Sequence, residues 1–174
     1  QPQGQALRLR PPNIILLDYR ARVKGYCSDM TRVVFIGKPK AEWVKSYNTV
    51  LNAQTAALEY LASRPGLEAT GEFADRVARD IVEKAGFPTY PHSLGHGVGL
   101  DIHEAPRLRA NPTINSGQTI KPGPSETLRA GMVVTVEPGV YVEGQYGIRI
   151  EDLILLKSDG IEILSTSNKN VIVL

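Results

Sequence analysis

His92, His96 and His103, the only histidines of the chain, fall within the stretch Pro91–Glu104, PHSLGHGVGLDIHE. Glycine interrupts this stretch too often for an amphipathic helix, so it reads as extended or looped backbone that holds imidazoles close together. Imidazole titrates near neutral pH, donates and accepts protons, and is the commonest metal ligand. The window is therefore the candidate active site, and its chemistry depends on what the rest of the chain brings to it.

Four acids stand at the ends of, or inside, strongly apolar runs. Asp18 follows Ile14–Leu17, Asp29 precedes Met30–Ile36, Glu137 follows Met132–Val136, and Glu151 lies within Ile148–Leu156. An ionised carboxylate taken from water into such surroundings is costly unless it is paired, and Arg32 and Arg149 are the nearest cations in sequence. Asp18 and Asp29 on adjacent strands would repel unless a proton or a cation lay between them. Divalent metal would supply that charge. Carboxylates with one imidazole form a hard, oxygen-rich site suited to manganese, with cobalt, iron or zinc as alternatives, and acids that bridge two ions give a geometry used in hydrolysis.

Strands must carry these residues. The patterning predicts strands over Ile14–Leu17, Ala21–Tyr26 and Met30–Ile36, with turn chemistry at Lys24-Gly25. Helical spacing predicts a helix over Ala41–Arg64, stopped by Pro65-Gly66, and a second from a Thr70 cap to Ala85, with Phe73, Val77, Ile81 and Val82 on its buried face and Gly86 as its stop. Arg107–Ala130 reads as a long loop. Strands follow at Met132–Val136, Val140–Val142 and Ile148–Leu156, and Ile161–Leu164 with Val171–Leu174 is expected to form a closing hairpin around Ser165–Asn170.

The bulk properties narrow the class. With 174 residues, 42% of them hydrophobic, the chain can build one domain with a real core. Twenty Lys and Arg against 18 Asp and Glu, without a basic block, argue against a nucleic-acid partner. The lone Cys27 excludes an internal disulfide and a multi-cysteine zinc site, and reads as a packing residue. No apolar run reaches membrane-span length and the start QPQGQALRLRPP has no signal core, so no membrane association and a cytoplasmic location are expected.

Taken in order, DYRARVKGYCSDMTR, HSLGHGVGLDIHE, TVEPGVY and GIRIEDL resemble the signature segments of the pita-bread metallopeptidases. These include Xaa-Pro dipeptidases (prolidases), Xaa-Pro aminopeptidases and methionine aminopeptidases. The resemblance runs from Leu17 to Leu153. It implies an α+β, creatinase/aminopeptidase-like fold, a curved and mostly antiparallel sheet with helices on its outer face. It also implies two divalent ions held by Asp18, Asp29, His96, Glu137 and Glu151, with Asp29 and Glu151 bridging. By the same resemblance His92 and His103 stand beside the ions and contact the substrate or the developing oxyanion, and Arg149 lines the pocket. A hydroxide bridging the ions would attack the scissile carbonyl, with Glu137 helping proton movement.

GVYVEGQYGIRIED is similar to the Xaa-Pro branch, which makes a peptide with proline after the scissile bond the expected substrate. Dipeptidase and longer-peptide aminopeptidase both stay open, because the sequence has no clear counterpart of the arginine that prolidases place upstream of the TVEPG strand to hold a dipeptide carboxylate, Arg107, Arg109 and Arg129 being the candidates to replace it. The alternatives are an inactive peptide-binding or assembly module and, third, a methionine aminopeptidase. The chain departs from the family pattern at Arg20, where glycine is common, and Arg20 is expected to point to solvent. Family catalytic domains also have a stretch before the first metal aspartate. Residues 1–174 are accordingly expected to be a single, N-terminally truncated, C-terminal catalytic domain, with an N-terminal segment or a second copy of the chain as partner.

Overall fold

Asp18 and Asp29 lie on one long hairpin. The computed structural model describes residues 9–64, 69–109 and 128–174, and within it β1 (Asn13–Val23) and β2 (Tyr26–Ile36) pair antiparallel from Asn13↔Ile36 to Val23↔Tyr26. Lys24 and Gly25 form the two-residue turn with φ of 52° and 91°. Positive φ at both positions matches the right-handed twist of the flanking strands. The three short strands expected here are thus two long ones, with both aspartates mid-strand. Backbone pairing continues through charged residues as long as one face of the hairpin can accommodate them.

Two helices follow. In α1 (Ala41–Ser63), Trp43, Tyr47, Val50, Ala57 and Leu61 recur at helical spacing and enter the core. In α2 (Gly71–Lys84), the Thr70 hydroxyl accepts from the Phe73 N–H at 3.2 Å as the expected cap, and Gly86 terminates the helix with φ of 85°. The buried face of α2 matches expectation at Val82, with Ile81 half-buried against the core, and differs at Phe73. It consists of Gly71, Ala74, Asp75, Ala78 and Val82, while Phe73 is largely exposed and packs on the Tyr60 ring. Gly71 lies against the backbone of Arg107 and Leu108, where a Cβ would clash.

The remaining strands are β3 (Gly95–Gly97), β4 (Glu104–Leu108), β5 (Val133–Val136), β6 (Gly139–Val142), β7 (Tyr146–Arg149), β8 (Asp152–Lys157), β9 (Gly160–Ile163) and β10 (Ile172–Val173). Five of them form an antiparallel sheet in the order β4-β3-β5-β8-β9, β6 pairs with β7, and β10 joins β2 in parallel. Arg107 and Leu108 belong to β4, so the expected loop starts later, and its residues 110–127 lie outside the described ones. The strand expected over Ile148–Leu156 breaks at Ile150-Glu151, where the Glu151 N–H leaves its own hairpin and donates to the Thr31 carbonyl at 3.1 Å. No closing hairpin forms at the tail: β9 pairs with β8, and β10 pairs with β2.

The core lies between the helices and the sheets. Along β5, Val134 and Val136 belong to it, while Thr135 faces the other way. Gln54 of α1 reaches into this layer, fully buried, and its amide donates to the carbonyls of Val136 at 3.0 Å and Ile150 at 3.3 Å.

Candidate metal centre

His96 is held by its backbone. Gly95 and Gly97 flank it on β3, which runs between β4 and β5. A Cβ on Gly95 would overlap the Thr135 carbonyl, and one on Gly97 the Ala105 carbonyl. Only glycine permits this approach, so the GHG triplet seats the histidine tightly against both neighbouring strands. The Nδ1 of His96 lies 2.9 Å from the Gly97 carbonyl. A carbonyl can only accept, so Nδ1 carries the proton and Nε2 presents its lone pair. Burial, the main cause, lowers the pKa of His96 and keeps the ring neutral.

That lone pair faces acids. Glu137 Oε1 is 3.3 Å from His96 Nε2, and Asp29 Oδ2 is 3.9 Å from it. Ligand atoms of His96, Glu137 and Glu151 lie within 4.8 Å of one another, as do those of Asp29, His96 and His103. Asp29, His96 and Glu151 are nearly inaccessible. Hydroxyls fix the glutamates: Thr135 donates to Glu137 Oε1 at 3.1 Å, and Thr31 donates to Glu151 Oε2 at 2.6 Å. Burial and mutual repulsion push the Glu137 carboxyl up to about 8, and burial with Asp29 nearby pushes Glu151 up to about 7. Burial also raises Asp29, against the opposing pull of Arg20.

Asp18 stands apart. It belongs to neither group of converging ligand atoms, and its carboxylate accepts from Arg149 Nη2 at 2.8 Å while Arg20 Nε lies 3.4 Å from its other oxygen. Arg20 therefore does not simply point to solvent: alternate residues of β1 share a face, and the register sets Arg20 opposite Asp29. Of the two cations nearest in sequence, Arg149 serves Asp18, whereas Arg32 lies on the opposite face of β2 and pairs with Asp152 at 2.7 Å.

His103 packs edge-on against His96, with ring centroids 4.5 Å apart. His92 is farther back. Its Nδ1 lies 2.8 Å from the Ser93 carbonyl, so its Nε2 accepts from the Tyr141 hydroxyl at 2.8 Å, and that oxygen in turn receives Arg149 Nη1 at 3.4 Å. Tyr141, Thr31 and Thr135 are site residues that sequence reasoning missed. The recurrence of Thr31 two residues from Asp29, and of Thr135 two residues from Glu137, was the available signal, since a period of two keeps strand residues on one face.

The donor set suits a divalent cation. All donors are carboxylate oxygens or imidazole nitrogen, and Asp29 Oδ1 is buried without a hydrogen-bond partner, so the cluster holds acid in excess of its protein donors. Clusters of this kind, carried on a sheet, serve metal-dependent hydrolases. The chain belongs to metallopeptidase family M24, whose family model matches residues 1–158. An uncharacterised peptidase of Staphylococcus epidermidis is 41% identical over 163 residues, covering 93% of this chain and 42% of its own length. Two solved structures share the fold. X-Pro aminopeptidase from Thermotoga maritima has a TM-score of 0.82 at 37% identity, over 99% of this chain and 46% of its own. A prolidase from Thermococcus sibiricus has a TM-score of 0.83 at 33% identity, over 100% of this chain and 43% of its own. The fold is thus the expected pita-bread architecture, and the chain spans less than half the length of each of these relatives. Among the described residues no helix is long and apolar enough to cross a membrane.

Proposed function

We propose that this chain carries the dinuclear metal centre of a peptidase that cleaves the bond preceding proline, with Asp18, Asp29, His96, Glu137 and Glu151 as ligands. The observation that carries this reading is the buried convergence of His96 Nε2 with the carboxylates of Asp29, Glu137 and Glu151, one oxygen of which has no hydrogen-bond partner. The names of the two solved relatives support the proline preference. Manganese is the proposed metal, since the donors are mostly hard oxygens, and cobalt, iron and zinc are the alternatives.

When bound, the ions would polarise the scissile carbonyl and acidify water. The chain's own groups do the rest. Glu137 takes a proton from the attacking water at a carboxylate oxygen and returns it to the leaving amine nitrogen. His103, exposed beside His96, faces the substrate and donates to its carbonyl oxygen as negative charge develops there. The Ser93 carbonyl fixes the tautomer of His92, and the Tyr141 hydroxyl, itself held by Arg149, fixes the direction of its ring.

Loading with Mn2+ or Co2+, followed by assay on Xaa-Pro dipeptides and on longer Xaa-Pro-Xaa peptides, tests the reading and separates dipeptidase from aminopeptidase. Absence of hydrolysis of either substrate with metal bound would defeat it. A second reading, a peptide-binding module without turnover, draws support from the engagement of Asp18 by two arginines. It predicts peptide affinity with no product.

A further inference from the structure

The two ends of the acidic cluster differ in what already occupies them. At one end, His96 Nε2, Glu137 and Glu151 converge on one another, held by the Thr135 and Thr31 hydroxyls. At the other, both oxygens of Asp18 face guanidinium groups: Arg149 Nη2 at 2.8 Å from Oδ2, and Arg20 Nε at 3.4 Å from Oδ1. Arg20 also reaches Asp29. Its Nε lies 3.6 Å from Asp29 Oδ1, the buried oxygen that no hydrogen bond satisfies. One guanidinium thus spans the two aspartates, at the location a shared cation would take.

Strand geometry enforces this placement. Asp18 and Arg20 alternate on β1 and so share a face, and the ladder pairs Arg20 with Asp29 and Asp18 with Thr31. The four side chains form one patch. Arginine remains charged throughout the working pH range, so the patch cannot shed this charge by deprotonation. The side chain is 50% exposed, so it can swing into water when a stronger cation arrives.

We infer that Arg20 is an internal counter-cation of the Asp18–Asp29 pair, and that an ion loads on the Asp18 side only by displacing its guanidinium. The inference deepens the metallopeptidase reading and rests on it. A divalent ion at contact distance from the same oxygens meets both steric exclusion and like-charge repulsion from Arg20. An ion among His96, Glu137 and Glu151 meets neither from that residue. Removing the charge of Arg20 should therefore tighten one ion and leave the other unchanged.

Titration calorimetry of the metal-free chain with MnCl2 tests this, comparing the wild type with Arg20→Gln, which removes the charge, and Arg20→Lys, which keeps it. In Arg20→Gln the weaker equivalent should bind at least ~10-fold more tightly, the tighter one within ~2-fold of wild type, and Arg20→Lys should follow wild type. Asp18→Asn should abolish the weaker equivalent alone. The inference is overturned if Arg20→Gln leaves the weaker affinity unchanged, tightens both ions equally, or is matched by Arg20→Lys, or if Asp18→Asn removes the tighter ion. Failure of all four proteins to bind Mn2+ would instead overturn the metallopeptidase reading itself.

Discussion

Glu137 and His96 share one hydroxyl. The Thr135 side chain donates to Glu137 Oε1 and accepts from the His96 backbone N–H, each at 3.1 Å, and the two residues meet again where Glu137 Oε1 approaches His96 Nε2 at 3.3 Å. Removing the hydroxyl leaves a buried N–H unpaired and a carboxylate unanchored. Thr135→Val should cost about 1–3 kcal/mol of stability in the metal-free chain. It should also weaken Mn2+ binding at least ~10-fold, equivalent to ~1.4 kcal/mol. Urea unfolding and calorimetric titration measure the two effects.

Stability of the metal-free chain should fall as pH rises. Glu137 and Glu151 are raised from an ordinary 4.5 to about 8 and about 7. Below the ordinary value both folded and unfolded chains hold these protons, and the contribution is fully present. Above it the unfolded chain releases them first, and the contribution is gone once pH passes the folded values. The melting temperature should drop by at least ~5 °C between pH 6.5 and pH 8 in chelator, above the range in which the lowered His92 and His96 act in the opposite sense, and saturating Mn2+ at pH 8 should reverse the drop. A flat profile in chelator would contradict the burial that raises these two carboxyls.

Asp29→Ala should remove more metal than His103→Ala. Asp29 is buried at the junction of the cluster and is proposed to bridge, whereas His103 is exposed beside it. Metal analysis after dialysis against excess Mn2+ should find most of the bound ion lost in the first variant and nearly wild-type content in the second. Equal loss in both would assign His103 as a ligand instead, as its grouping with Asp29 and His96 also permits.

Tyr141→Phe isolates the support of His92. The ring position is retained, while the hydroxyl that donates to His92 Nε2 and accepts from Arg149 is removed. Metal content should stay at the wild-type level, and kcat/KM on a Xaa-Pro peptide should fall about 10-fold, less than the ~10²–10⁴-fold typical of losing a proton-transfer group outright, because His92 itself remains. Unchanged kcat/KM would take His92 out of the chemistry.

Gly95→Ala should be severely destabilising although it adds only a methyl group. The new Cβ would overlap the Thr135 backbone, which cannot yield without parting β3 from β5. A loss above ~3 kcal/mol in urea unfolding is expected, because overpacking against main chain has no flexible neighbour to absorb it.

Much of this was legible in the residues. The glycine-flanked histidine announced a non-helical segment, and the apolar spacing of Trp43, Tyr47, Val50, Ala57 and Leu61 announced α1. Strand ends were read less well, since an apolar run stops at Asp18 while the ladder continues to Val23. Hydrophobicity records where a face is buried, and pairing extends beyond it. The missed site residues, Thr31, Thr135 and Tyr141, are uncharged hydroxyls, and their roles depend on which strands lie side by side. Arg20 escapes sequence patterning for the same reason: its period-two relation to Asp18 is visible, but its place opposite Asp29 follows from the turn at Lys24-Gly25.

Gln54 gives α1 a part in the cluster that no ligand list would assign to it. The two carbonyls its amide holds belong to Val136 and Ile150, the residues immediately before Glu137 and Glu151. A single side chain on the helix thus acts as a gauge block between the two glutamate-bearing segments, and Lys169, which donates to its Oε1 at 3.1 Å, keeps that block from rotating. The proposed metal capture and the integrity of α1 should consequently be coupled. Ion binding should slow amide exchange along the middle of a helix that never touches the ion, and fraying of that helix should let the glutamates drift apart before any ligand is lost.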